Sequence, residues 1–194
     1  MRILVNISNL KIGGALQVGY SFMEEVFNLT TNHEFYIVLS DEIDQELNFT
    51  LRDVKKNINI FKLNSSPGPL FKGSKARKEL YDIESLVKPD VVLSIFGPTY
   101  WKPKTIHVSG FAAGWTINPD SIAFQVFSVK NRLKKKFQNW VKLKSSIRES
   151  SFFIVETSVV KQRLNKYAKV PVENIFVVGN TYGNQYNNDI SNKK

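Results

Sequence analysis

The stretch MRILVNISNLKIGGALQVGYSFMEEV, residues 1–26, decides the fold. Ile3–Val5 is a short apolar run of strand type. Gly13 and Gly14 then admit backbone angles that other residues avoid. Beyond them Ala15, Val18, Phe22, Val26 and Leu29 recur at spacings of three and four, one face of a helix. The chain thus opens as strand, glycine turn, helix. Backbone amides at such a helix start suit a phosphate. A tight strand-to-helix turn accounts for the same pair of glycines.

The same alternation continues outward from this opening. Apolar runs of strand length recur at Phe35–Leu39, Ile58–Phe61, Val91–Phe96, Ile106–Val108, Phe152–Val155 and Ile175–Val178. They are β-branched and aromatic and mostly continuous, as strands covered on both faces are. Helix-compatible segments lie between most of them, at 15–30, 41–47, 74–87, 126–149 and 158–168, with Asp41 and Ser158 as expected N-caps. Pro89 ends one helix just before a strand. The expectation is an α/β protein, a doubly wound parallel sheet of about seven strands, with ligands at the carboxyl ends of the strands. The glycine pair lies at such an end, as do FGPTYWKP (96–103) and SGFAAGW (109–115). One folded domain is expected over residues 1–183, with a polar, disordered tail over 184–194.

Composition narrows the chemistry. The 194 residues, 42% hydrophobic and 12% aromatic, are enough for one well-buried domain. Zero cysteines exclude disulfides, thiolate metal sites and cysteine nucleophiles. Two histidines, His33 and His107, make a histidine metal cluster unexpected, and no cofactor is called for. No apolar run reaches the length of a membrane span, about 18 residues, and the opening MRILVNIS is too short for a secretory signal. A cytoplasmic protein is the expectation. The net charge of +10 is concentrated in 130–149, KNRLKKKFQNWVKLKSSIRE, which carries eight basic residues and one acid.

Four pieces stand in a telling order: the first strand leading to GGALQ, KPDVVLS, HVSGFAAGW, and FFIVETSVVKQRLNKYAKVPVENIFVVGNTYG. The last, a strand ending at Glu156-Thr157 followed by a short helix and VPVENIFVVGN, resembles the close of the N-terminal domain in GT-B glycosyltransferases of family 4. Gly179 departs from that pattern, where proline commonly precedes the asparagine. The resemblance covers 1–183 and implies a Rossmann-like, acceptor-side half of a bilobed, retaining enzyme. In the family a second domain holds the nucleotide-sugar. A chain closing soon after Asn180 is therefore expected to be inactive alone.

The resemblance also implies site residues. Gly13 and Gly14 would approach the donor's phosphates across the interdomain cleft, and His107 would sit near the transferred sugar as the catalytic candidate. Phe111 and Trp115 are expected to stack on an acceptor, either a glycan or a lipid-linked one. Glu156 reads better as a helix-flanking surface acid than as a cleft residue. Within 126–149 the apolar positions keep to one face and lysines cover the rest. Such a basic amphipathic helix suits an anionic membrane surface, with Lys134, Lys135, Lys136 and Trp140 as its contacts, and equally suits an ordinary core helix with a solvated side. Nucleic acid is not an expected partner, because the aromatics do not interleave with the lysines. The expected function is sugar transfer from a nucleotide-sugar to an envelope glycan or lipid-linked acceptor. The alternative is a non-catalytic Rossmann-like module that docks on a membrane or partner subunit.

Overall fold

The computed structural model describes residues 1–11, 13–40, 44, 56–69 and 71–179. Seven strands form the sheet: β1 (Arg2–Asn6), β2 (Glu34–Ser40), β3 (Ile58–Leu63), β4 (Val91–Ser94), β5 (His107–Gly110), β6 (Phe152–Val155) and β7 (Ile175–Val177). All pair in parallel, in the order β3-β2-β1-β4-β5-β6-β7. The order reverses between β1 and β4, so the crevice above that pair is the topological switch point of an open α/β sheet.

Strand alternation divides the core. Val5, Ile37 and Leu39 face α1 (Gly14–Asn28), whose Met23 and Val26 complete one cluster. Their neighbours Leu4 and Val38 face α2 (Ser74–Val87) through Ala76 and Leu80, with Trp101 in the same cluster. Each fully buried side chain of this size stabilises the fold by about 1.5–3 kcal/mol. A third cluster joins Phe153, Val155 and Ile175 to Leu164 of α4 (Ser158–Ala168) and to Leu143 and Ile147 of α3 (Val129–Glu149).

Element boundaries depart locally from the expectation. The 126–149 helix begins at Val129, because Ile122–Val126 closes into a separate 3-10 turn capped by Ser121. The N-cap of α4 is Thr157, not Ser158: the Thr157 hydroxyl accepts from the Val160 amide and satisfies one of the unpaired donors of the first turn. Asp41, most of the 41–47 segment and the 184–194 tail lie outside the described residues.

Candidate functional site

A cavity of about 620 Å³ opens at the carboxyl ends of the strands, above the switch point. Asn9 and Gly14 reach it from the β1–α1 connection, Gly97 and Tyr100 from the segment after β4, Ala113 from that after β5 and Glu156 from that after β6. Lys142 of α3 closes one side. The glycine pair therefore lies where a parallel sheet presents its ligands.

Gly13 has φ +65° and caps α1 with its carbonyl, which accepts from the amides of Leu16 and Gln17. That angle is one that side chains rarely adopt. Gly14 has an ordinary φ, and a side-chain carbon there would meet nothing within 4 Å. The two residues that open α1 ahead of those bonds, Gly14 and Ala15, border the cavity. Asn9 donates its side-chain amide to the Phe96 carbonyl at 2.7 Å, while its buried Oδ1, at the cavity's edge, has no partner among the described residues.

The wall after β4 is held by a carboxylate at the end of α3. Glu149 Oε2 accepts from the Thr99 amide at 2.9 Å and the Tyr100 amide at 3.0 Å, and lies 3.1 Å from the Thr99 hydroxyl. Its buried Oε1 has no partner among the described residues. Burial pushes this carboxyl up to about 7, against the opposing pull of the Thr99 and Tyr100 donors and Arg148. On the other side of the same connection Glu84 of α2 accepts from the amides of Lys104 and Thr105, at 2.7 and 2.9 Å. Tyr100 has φ +55° and lines the cavity, and burial raises its phenol above the ordinary range.

His107 is placed differently from its expected role. It begins β5, three residues before the carboxyl end, and is 1% exposed. Its Nδ1 lies 2.9 Å from the Glu149 carbonyl, an acceptor only, so Nδ1 carries the hydrogen. Nε2 then accepts from the Ser94 hydroxyl at 2.8 Å. Burial lowers the imidazole's pKa and keeps it neutral. Both nitrogens are engaged inside the core, and the ring is not part of the 620 Å³ cavity's lining.

Phe111 is likewise 3% exposed and packs edge-on against Phe153, a core contact in place of the expected stacking platform. Trp115, in contrast, is about half exposed and lines a second cavity of about 170 Å³ with Lys135, Asn139 and Lys142. Lys134, Lys135, Lys136 and Trp140 are all exposed on α3. Val129, Leu133, Phe137 and Trp140 form a stripe at helical spacing, each more than half exposed, with Phe137 and Trp140 stacked at 6.0 Å. The amino-terminal part of α3 is thus not a core helix. Ser146 and Glu149 are its buried residues. Among the described residues no helix is long and apolar enough to cross a membrane.

Sequence reasoning missed Asn9, Tyr100, Lys142 and Glu149. Glu149 carried a signal, as the single acid in the basic stretch. The others resemble surface residues until the strand order brings them together.

No family model matches the chain, and no curated relative does. Solved structures do. The UDP-GlcNAc 2-epimerase from Methanocaldococcus jannaschii matches with TM-score 0.55 at 18% identity, over 100% of this chain and 50% of that one. The Neisseria meningitidis UDP-GlcNAc 2-epimerase bound to UDP-GlcNAc matches with TM-score 0.53 at 16% identity, over 93% and 46%. Arabidopsis thaliana UGT89C1 complexed with UDP-L-rhamnose matches with TM-score 0.53 at 12% identity, over 100% and 56%. The chain spans about half the length of these structures. At such identities the likeness concerns the fold: the seven-stranded parallel sheet with its flanking helices is that of one half of a GT-B architecture.

Proposed function

We propose that this chain is the acceptor-side half of a retaining, family 4-like glycosyltransferase, which moves a sugar from a nucleotide-sugar to an envelope glycan or lipid-linked acceptor. The observation that carries the reading is the cavity at the switch point, bordered by Gly14 and the start of α1 and continued outward along the basic helix α3. The neighbours whose structures hold UDP-GlcNAc or UDP-L-rhamnose support a nucleotide-sugar as the donor. Gly13 and Gly14 approach its phosphates as the minor partner, the rest of the donor site belonging to a second lobe. Exposed amides at one helix end contribute about 0.3–1 kcal/mol each, whereas millimolar binding already needs about 4 kcal/mol. This half alone therefore binds nucleotide-sugars at millimolar strength or weaker.

The exposed stripe of α3, flanked by Lys134 and Lys136, holds the protein at the inner face of the membrane. Each basic residue near an anionic surface contributes about 1 kcal/mol. The apolar stripe adds burial that a purely charged surface lacks.

The test is a transfer assay on the whole gene product with UDP-sugars and a lipid extract as acceptor. Acceptor-dependent release of UDP supports the reading. Epimerised free sugar or UDP-sugar without any acceptor supports the activity of the epimerase neighbours, and no turnover of either kind supports the non-catalytic docking module. Calorimetry that gives micromolar affinity of the 194-residue chain for UDP-GlcNAc overturns the half-site reading.

A further inference from the structure

Half of the sheet is bare on one face. Strand pairing fixes which residues share that face. Val5, which packs under α1, pairs with Leu93, Leu93 with Val108 and Val108 with Phe152, while Ile154 pairs with Phe176. Val178, two residues beyond Phe176, turns the same way. Their neighbours along the strands point to the opposite face, where α3 and α4 cover Phe153, Val155 and Ile175 to 2% exposure or less. On the α1 side the burial is incomplete. Leu93, Val108, Phe152 and Ile154 are partly buried, and Phe176 and Val178 are 52% and 55% exposed. All six are apolar, and among the described residues no helix lies over them. Strands of parallel sheets are ordinarily covered on both faces.

The shape and charge of this face select its cover. A groove of about 260 Å³ runs between it and α1, walled by Val18 and Phe22 on the helix side and by Ile154 and Val178 on the sheet side. Glu156 is the one charged residue in the groove's lining, and Glu25 stands exposed one turn beyond Phe22 on the same side of α1. The borders are therefore acidic. From β4 to β7 the face is about 14 Å wide, which takes one helix of about 10–12 Å. It falls well short of the roughly 800 Å² that each partner of a standard interface buries. A single amphipathic helix with basic flanks fits. This chain exposes one: the stripe of Val129, Leu133, Phe137 and Trp140 on α3, flanked by Lys130, Lys134 and Lys136. That stripe is about 16 Å long, and four residues of strand are about 13 Å. Leu143 and Ile147 fasten α3 to the covered face of the sheet, so stripe and bare face lie on opposite sides of one molecule. No molecule can bring its own two surfaces together. Two molecules can.

We infer that the bare face of one molecule receives the α3 stripe of a second copy, with Glu156 and Glu25 beside the lysines that flank the incoming helix. The contact is head-to-tail. Each copy in a pair keeps one unused stripe or one unused face, so further copies add at high concentration. The area is small, so association is weak and reversible. It forms without lipid and uses neither the central cavity nor sugar transfer, and so stands apart from the function proposed above. A stripe buried in this contact is withheld from the membrane.

Sedimentation velocity of the 194-residue protein in lipid-free buffer, over a dilution series reaching about 1 mM, tests this. Wild type should pass from monomer to dimer and larger species as concentration rises. Phe137→Glu spoils the stripe and Phe176→Glu spoils the face, and both side chains are more than half exposed, so the core is left intact. Each variant alone should lose at least about tenfold in self-affinity. Mixed in equal amounts, the two should associate as tightly as wild type yet stop at a dimer, because a mixed pair holds one intact stripe on one intact face and nothing more. Leu133→Glu and Val178→Glu repeat the experiment at neighbouring exposed positions. Wild type that stays monomeric throughout overturns the second copy as occupant and leaves the face to another segment or another protein. Mixtures that stay monomeric for both pairs of variants overturn the docking of stripe on face. If one variant of a pair associates as wild type does and the other does not, like surfaces pair with like and the head-to-tail contact is refuted.

Discussion

Glu149→Gln should change how stability depends on pH, with a sign that burial determines. The wild-type carboxyl is held up to about 7, well above its range in the unfolded chain. In the intervening window the folded state keeps a proton that the unfolded state has released. Stability from this group is therefore present in acid and is lost as pH rises through about 7. At 1.36 kcal/mol per pKa unit the displacement corresponds to about 3 kcal/mol at full extent. The local geometry accommodates the proton. The Thr99 hydroxyl has one hydrogen, and its closer acceptor is the Trp101 carbonyl at 2.9 Å, which leaves its oxygen free to accept from a protonated Glu149 at 3.1 Å. His107 acts in the opposite sense: its lowered pKa makes stability fall as pH drops below the ordinary imidazole range. Both variants contain His107, so its contribution cancels in the difference. Urea unfolding at a series of pH values from 4 to 9 should show Glu149→Gln gaining on wild type by about 3 kcal/mol between the acid and alkaline ends. Two parallel curves would mean that the Thr99 and Tyr100 donors offset burial completely, and the reasoning would fail.

Other substitutions separate packing from function. Gly110→Ala drives a carbon into the Ile95 carbonyl oxygen and should cost about 3 kcal/mol or more in denaturant unfolding; a loss below about 1 kcal/mol would show that β4 and β5 separate easily. Gly14→Val enters open space at the cavity edge, so the fold should survive while sugar transfer by the whole gene product falls strongly. An unimpaired variant returns the glycine pair to a turn and nothing more. Changing Lys134, Lys135 and Lys136 to glutamate should abolish co-sedimentation with anionic vesicles, which for the wild type should weaken with salt and fail with neutral vesicles. Equal sedimentation of wild type and variant refutes the membrane role of α3.

The parallel sheet was legible because its signals are local. Val91–Ser94 and Phe152–Val155 are continuous apolar runs, and the turn at Gly13 lies in the same short span as the strand and helix that it joins. The place of the glycine pair, at the carboxyl edge of the sheet, was legible for the same reason. His107 and Phe111 were not, because their roles depend on which end and which face of β5 they occupy. Three residues of strand, about 10 Å, separate His107 from the carboxyl end. Glu149 was hidden because its partners lie 49 and 50 residues away, and Lys142 because its cavity is closed by segments after four different strands.

At four positions the connection from β4 to β5 is gripped through its amides. Glu149 holds positions 99 and 100 and Glu84 holds 104 and 105, through a backbone group that every residue except proline possesses. Pro98 and Pro103 each stand just outside a gripped pair. The wall of the cavity can therefore exchange its chemical character while keeping its course. Among homologues that retain both glutamates, the expectation is drift in side-chain type at 100, which lines the cavity, with proline excluded from 100 and 104. A lineage that changes what it binds can do so here by point substitution, without rebuilding the loop. The cost of that freedom is concentrated in two buried carboxylates, whose loss leaves four loop amides without these acceptors.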